Sequence, residues 1–162
     1  MFELLYKVVK SKDDDFIGEN GFFKLIVNEY NYGEIYSDEL DDIMEKDSIY
    51  DWMERLCRVI KELDVNKKVY LSDVESYNTW LEFEIVDNGI FINEIKAPKE
   101  NGSKYLELYL DNIYEKKWNN PKVEYKDFRN EIIVKLKEYR NFIVRNNRDN
   151  VLLEDLVEKL KV

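Results

Sequence analysis

The spacing of apolar residues changes twice along the chain, and this change constrains the fold more than any other feature of the sequence. Between residues 49 and 63 apolar side chains recur every three or four positions, which is the period of one helical face. The residues that define this face are Ile49, Trp52, Met53, Leu56, Ile60 and Leu63. Before and after it the apolar pattern is that of strands. A helix between strands predicts a mixed fold, and Asp47 or Ser48 is placed to cap the helix.

Strand-like segments are rich in β-branched and aromatic residues and occupy residues 2–10, 22–28, 34–36, 67–71, 79–86, 90–96 and 104–110. A turn is predicted at residues 31–33 and a loop at 116–122. The apolar period predicts a long helix from Asp127 to Asn146 and a last helix over residues 151–160. The sequence therefore predicts one α+β domain over residues 1–162, with a mostly antiparallel sheet of about six to seven strands, one amphipathic helix in the middle and two C-terminal helices.

The Asp-Asn-Gly segment at residues 87–89 predicts a hairpin, because asparagine and glycine tolerate the positive φ that such a loop needs. A two-residue loop sets Phe83 opposite Glu94. A three-residue loop with a bulge at the glycine sets Leu81 opposite Ile95. We prefer the second register, because it makes one face of the sheet more apolar.

The chain has one cysteine, Cys57, which cannot form an internal disulfide bond and which fits a reducing compartment. It lies near the apolar face of the central helix, so we expect a buried thiol rather than a reactive one. The first residues have neither a basic segment nor an unbroken apolar run, and no later segment reaches the ~20 apolar residues of a membrane span. We therefore expect a cytoplasmic protein without a membrane partner.

The chain has no histidine, which excludes Ser-His and Cys-His nucleophile systems, His-ligated zinc sites and the commonest general base near neutral pH. The acidic clusters at residues 13–15 and 38–42 lack the spacing of a calcium-binding loop. The five glycines are too scattered to form a phosphate-binding loop. We therefore expect no catalytic residues, no metal and no cofactor, and a protein that is not an enzyme.

Charge is distributed unevenly along the chain. Residues 13–54 contain fourteen acidic residues and two lysines, whereas the whole chain has a net charge of −10. Such a field attracts basic partners and repels phosphate backbones, so a nucleic-acid partner is not expected. The alternative is that the excess acid only aids solubility.

The segment from residue 29 to 50 combines tyrosines with carboxylates, a mixture that favours a protein interface over a catalytic pocket. The predicted partner-binding residues are Tyr30, Tyr32, Glu34, Tyr36, Asp38, Glu39, Asp41, Asp42, Glu45, Asp47 and Tyr50. The alternative is that each tyrosine only packs on the sheet and turns its hydroxyl to water. Trp118, in the predicted loop, is a second candidate for an exposed contact residue.

An enzymatic alternative depends on the preferred hairpin register. In that register Glu82 lies opposite Glu94 and shares a sheet face with Glu84 and Lys96. Carboxylates on adjacent strands can hold Mg²⁺ while a lysine stabilises developing charge, as in magnesium-dependent nucleases, and Asp73 could serve as the upstream acid. The competing interpretation is an exposed face with solvated charges, because few basic residues lie nearby to hold substrate phosphates.

One pattern extends over most of the chain. It consists of the strand FFKLIV at residues 22–27, the turn at Gly33, an acid-rich link, and the sequence SIYDW at residues 48–52, which opens a helix that leads into further strands. In this pattern the chain resembles the small immunity proteins that accompany bacterial polymorphic or contact-dependent toxins. The resemblance implies a cytosolic inhibitor that binds a cognate toxin domain, often a basic nuclease, and covers its active site or a neighbouring surface. Such families share no catalytic residues.

The sequence thus predicts a non-enzymatic binding protein that neutralises a cognate toxin through its acidic, tyrosine-rich segment. Two alternatives stay open: a DNA-mimicking antagonist whose carboxylates imitate phosphates, and a magnesium-dependent nuclease that uses Glu82, Glu94 and Lys96. An adaptor or chaperone for a secreted effector would need the same acidic surface.

Overall fold

The structure, a computed structural model, describes all 162 residues and contains two antiparallel sheets and three α-helices. The strands of the first sheet are β1 (Phe2–Val8), β2 (Asn20–Val27), β3 (Tyr30–Gly33) and β4 (Asp47–Ser48). Strand β2 is central: it pairs with β1 on one side and with β3 and β4 on the other. A 3₁₀-helix, Asp38–Leu40, lies in the connection between β3 and β4.

The second sheet has the strand order β10-β7-β6-β5-β8, and β9 also pairs with β7. Its strands are β5 (Lys68–Ser72), β6 (Thr79–Val86), β7 (Gly89–Lys96), β8 (Leu106–Glu107), β9 (Glu115–Lys116) and β10 (Lys122–Glu124). The helices are α1 (Ile49–Leu63), which links the two sheets, α2 (Tyr125–Asn146) and α3 (Leu153–Glu158). None of the three helices has both the length and the apolar character that are needed to cross a membrane.

The predicted α+β class is confirmed, but the strands form two sheets rather than one. The central helix begins where the pattern predicts, and the Ser48 hydroxyl accepts a hydrogen bond from the backbone N–H of Asp51 (3.2 Å). The long second helix is confirmed as well, with a start at Tyr125. The last helix is shorter than predicted, and of residues 104–110 only Leu106–Glu107 pair as a strand.

The predicted third strand at residues 34–36 is wrong, because the chain turns earlier than the predicted turn at residues 31–33. Asn28 has a φ of 54°, so the chain reverses directly after β2 and the pairing partner becomes Tyr30–Gly33. Residues 34–46 are then left outside the sheets and form the 3₁₀-helix and irregular turns.

One hydrophobic core contains side chains from both sheets and from α1, α2 and α3. Phe128 of α2 contacts Phe2 of β1 and Phe83 of β6, with ring centroids 4.8 and 5.7 Å apart. A single buried ring therefore joins the two sheets through the helix. Cys57 is fully buried in the same core, as predicted, and burial raises the pKa of its thiol.

The outer edge of β1 is closed by α2, which packs along this strand. The backbone N–H of Leu4 donates to the carboxylate of Glu131 at 3.1 Å. A helix side chain thus satisfies a strand donor that has no neighbouring strand to bind.

The register of the β6–β7 hairpin differs from both registers that the sequence suggested. Its two-residue loop pairs Val86 with Gly89, so that Phe83 lies opposite Ile92 and Leu81 lies opposite Glu94. Our choice assumed that only one face of this sheet is apolar. That assumption is wrong, because Trp80 and Ile95 on the outer face are also fully buried.

Candidate functional site

The strongest candidate for a binding surface is residues 34–47, which we call the acidic segment. It connects β3 to β4 and is held to the first sheet by Lys7, whose Nζ lies 2.7 Å from a carboxylate oxygen of both Asp38 and Asp41. The same ammonium donates to the backbone carbonyl of Tyr36 (3.1 Å). The hydrogen bond from Lys7 lowers the pKa of Asp38. Lys7 of β1 therefore holds the acidic segment against the first sheet.

Other carboxylates of the acidic segment face solvent without a cation partner. Glu39, Asp42 and Glu45 are exposed, and none has a lysine or arginine nitrogen within 4.0 Å. Among them lies Ile43, whose side chain is 73% exposed. The acidic segment thus presents an exposed apolar side chain that is close in sequence to unpaired carboxylates.

The predicted site residues fall into two groups in the structure. Those that are exposed are Glu34, Asp38, Glu39, Asp42 and Glu45; those that are partly buried are Tyr30, Tyr32, Tyr36, Asp41, Asp47 and Tyr50. The exposed group consists of acidic residues alone.

The tyrosine rings of the predicted site pack against the body of the protein. Tyr36 contacts Phe22 edge to face, with centroids 5.0 Å apart. Tyr50 contacts Phe16 in the same way at 5.8 Å, and its hydroxyl donates to the carbonyl of Leu156 (3.0 Å). The rings thus pack on the protein as the alternative interpretation states, but the Tyr50 hydroxyl binds a backbone carbonyl instead of facing water. The exposed part of the predicted site consists of carboxylates.

Trp118 is not an exposed contact residue, contrary to our expectation. Its side chain is only 6% exposed and stacks on Tyr30 with centroids 5.3 Å apart. The backbone N–H of Asn119 donates to the Tyr30 hydroxyl at 3.2 Å. The loop that contains the tryptophan therefore closes over the first sheet, which the sequence pattern did not reveal.

A second group of carboxylates surrounds Tyr32 between the two sheets. The Tyr32 hydroxyl donates to the carboxylate of Asp73, and burial together with the negative charge of Asp73 raises the pKa of this tyrosine. Asp47 lies half-buried near the same group. Its burial, followed by the charges of Asp73 and Glu75, raises its pKa to about 6. No three acidic or cysteine side chains of the protein converge closely enough to hold a metal ion.

The raised pKa of Asp47 predicts a pH-dependent stability. An unfolded aspartate titrates near ~3.9, so between roughly pH 4 and pH 6 the folded protein binds more protons than the unfolded chain and the free energy of unfolding falls as pH rises. Asp47→Asn is therefore expected to increase the free energy of unfolding above about pH 6 and to change it little near pH 4. Urea denaturation at both pH values measures the difference.

The control for this prediction is Asp42→Asn, which removes the same charge from an exposed position of the same segment. It should give no comparable gain above pH 6. An equal gain for Asp47→Asn at both pH values would contradict the prediction, because it would show an effect independent of ionisation.

The observed hairpin register separates the residues of the predicted magnesium site. Glu82 pairs with Asn93 on the outer face of the second sheet, whereas Glu94 pairs with Leu81 on the face that contacts the core. Alternate residues of a strand point to opposite faces, so Lys96 accompanies Glu94 and not Glu82. The arrangement of Glu82, Glu94 and Lys96 proposed for a nuclease is therefore wrong.

Glu82 instead belongs to a buried polar network. Only 3% of the residue is exposed, and its carboxylate accepts a hydrogen bond from the side-chain amide of Asn93 (3.1 Å). The ammonium groups of Lys68 and Lys116 each lie 3.4 Å from one of its oxygens. Asn120 donates its backbone N–H to Asn93 (3.1 Å), which closes the network. Its charge is balanced internally, as a buried carboxylate requires.

Two further surface features were not predicted. One is an open groove of about 1020 Å³ between α1 and residues 103–109, which is lined by charges of both signs. Separately, Tyr77, Tyr109 and Tyr114 are exposed, although the sequence analysis placed the interface tyrosines in residues 29–50. Periodic patterns predict exposure only within helices and strands, so the exposure of a tyrosine in a loop could not be predicted from the sequence.

No protein-family model matches the chain, and no solved structure matches it. Among curated proteins, the chain is similar to reticulocyte-binding protein homolog 1 of Plasmodium falciparum (isolate 3D7), with 27% identity over 150 residues. This similarity covers 85% of the present chain and 5% of that protein. The chain thus spans a small fraction of the relative that it matches, and the similarity does not show a family.

Proposed function

We propose that this protein is a non-enzymatic inhibitor that binds a cognate protein toxin through its acidic segment. The observation that carries the proposal is the exposure of Glu39, Asp42 and Glu45 without cation partners. Unpaired carboxylates at one surface attract a basic partner and speed its association. A toxin domain that acts on nucleic acid has such a basic surface, because it must bind phosphates.

The fixed position of the acidic segment supports binding to a specific partner rather than a solubilising role alone. Lys7 holds Asp38 and Asp41, and the ring of Tyr36 packs on Phe22, so little backbone has to be ordered on binding. Acid that only aids solubility needs no such support.

The exposed Ile43 supports a protein partner over a nucleic acid or a small ion. Protein interfaces combine an apolar centre with a polar rim, and the acidic segment has this composition on a small scale. Because the chain resembles immunity proteins, we propose that this protein partner is a toxin. The proposal includes a cytoplasmic location, because a cytosolic toxin is neutralised where it acts.

The experiment that tests the proposal begins with affinity capture by the tagged protein at low and at high salt, using the source cytosol. The expected result is one basic protein in near-equal amount, whose retention is weakened by salt. The captured protein is then expressed alone in a bacterial host, where it should stop growth, and together with this protein, where growth should be restored.

The capture and growth results separate the proposal from its alternatives. Retention of many unrelated DNA-binding proteins would indicate a DNA mimic. A captured secreted effector that has no effect on growth would indicate an adaptor or chaperone. Growth inhibition that co-expression does not relieve would contradict neutralisation.

A further inference from the structure

The six arginines of the chain divide into two groups of three. Each member of the first group has a carboxylate partner: Arg55 with Asp51, Arg58 with Glu54 and Arg129 with Asp64. The second group consists of Arg140, Arg145 and Arg148, and none of them has a carboxylate oxygen within 4.0 Å. In a chain with 35 acidic residues, three unpaired arginines in one region are unexpected.

All three unpaired arginines line one pocket of about 640 Å³ at the C-terminal end of α2. Lys161, from the end of the chain, contributes a fourth positive charge, and no acidic residue lines the pocket. Val144 and Val157 form its apolar part. The pocket is open to solvent, so a charged ligand can reach the cations from the surface.

One of the cations has a fixed position, and two are free to contact a ligand. The guanidinium of Arg140 donates to the backbone carbonyl of Leu160 at 2.7 Å, which ties the end of the chain to α2. Arg145 and Arg148 are exposed. Lys161 lies 3.0 Å from Glu158, which neutralises part of its charge. The pocket therefore combines a fixed guanidinium with two adjustable ones.

We infer that this pocket binds a small multivalent oxyanion, with phosphate or carboxylate groups, at the three guanidinium groups of Arg140, Arg145 and Arg148. Guanidinium groups match the geometry of such anions because their planar N–H donors form two parallel hydrogen bonds. The net charge of −10 repels anions from much of the surface, so binding is favoured where several unpaired cations lie together, as they do in this pocket. The two valines would contact an apolar part of the ligand. The inference does not depend on the proposed function.

The test is isothermal titration calorimetry of the full chain with two probes, inorganic pyrophosphate and citrate. The expected result is saturable binding of one of them with a 1:1 ratio. The double variant Arg145→Gln, Arg148→Gln should weaken this binding at least about tenfold, because each of the two substitutions removes charge-assisted hydrogen bonds. Saturation by pyrophosphate identifies phosphate as the ligand chemistry, and saturation by citrate alone identifies carboxylate.

The matched control is Lys126→Gln combined with Lys137→Gln, which removes the same charge from exposed positions of α2 outside the pocket. This variant should bind like the wild type. Equal weakening in both double variants, or no saturable binding of either probe to the wild type, would overturn the inference.

A second measurement uses the wild-type protein and does not depend on the folding of a variant. In NMR spectra, the methyl resonances of Val144 and Val157 should shift on titration with the probe that binds. Those of Val134, an exposed residue of α2 outside the pocket, should not shift. Uniform shifts, or none at the two pocket valines, would exclude this pocket as the binding site.

Discussion

Replacing Phe128 by alanine is expected to lower the free energy of unfolding by about 3–5 kcal/mol, which is the usual cost of truncating a buried phenylalanine. The ring is fully buried and contacts Phe2 in the first sheet and Phe83 in the second. Its removal leaves a cavity at the point where both sheets pack on α2. Urea denaturation followed by tryptophan fluorescence measures the loss.

Two further variants make this prediction specific. Val134→Ala, at a half-exposed position of the same helix, should cost no more than about 0.5 kcal/mol. Phe128→Leu retains most of the side-chain volume and should have an intermediate effect, which can be measured even if the alanine variant does not fold. A loss for Phe128→Ala no larger than that for Val134→Ala would show that the ring does not join the sheets.

Reversing charge at Glu39 and Asp42 together, with lysine at both positions, is expected to slow association with the captured partner at least about tenfold at low salt. These two carboxylates are exposed and unpaired. Asp41 is a poorer choice for this experiment, because it is bound to Lys7 and its replacement would also release the acidic segment. Stopped-flow or surface-binding kinetics measures the association rate constant.

The control for charge reversal is Glu100→Lys combined with Glu154→Lys, which changes the net charge equally at exposed positions outside the acidic segment. Its association rate constant should stay much closer to that of the wild type. The difference between the two variants should shrink near 1 M salt, where the screening length is about 3 Å. Equal slowing by both variants would exclude the acidic segment from the interface and attribute the effect to net charge.

The elements predicted best are those whose pattern depends on one buried face. Helix α1 has a long amphipathic repeat and a capping serine, and α2 has a core-facing residue on nearly every turn. Such a pattern depends only on the spacing of apolar residues within one segment, so it can be recognised from the sequence alone. The accumulation of acid in residues 34–47 is equally visible, because charge clustering along a chain requires no knowledge of the fold.

The predicted hairpin register was wrong, and the magnesium site that depended on it was wrong for the same physical reason. The segment after β7 covers the outer face of the second sheet and buries Trp80, Glu82 and Asn93 there. When both faces of a sheet are buried, alternation no longer distinguishes one register from the next. The pocket at Arg140 could not be predicted for a different reason. Lys161 and Val157 join the α2 residues there only because the last helix packs beside α2, and the sequence does not indicate that packing.

The hydrogen bond between Leu4 and Glu131 joins residues that are 127 positions apart, and this separation affects the chain during its synthesis. Translation at about 5–20 residues per second needs roughly 6–25 s to add those residues. For most of that time the hairpin of β1 and β2 is on the ribosome with the outer edge of β1 open, because the helix that closes it has not been made. A nascent chain on a crowded polysome therefore exposes an unpaired strand to its neighbours until α2 has been translated.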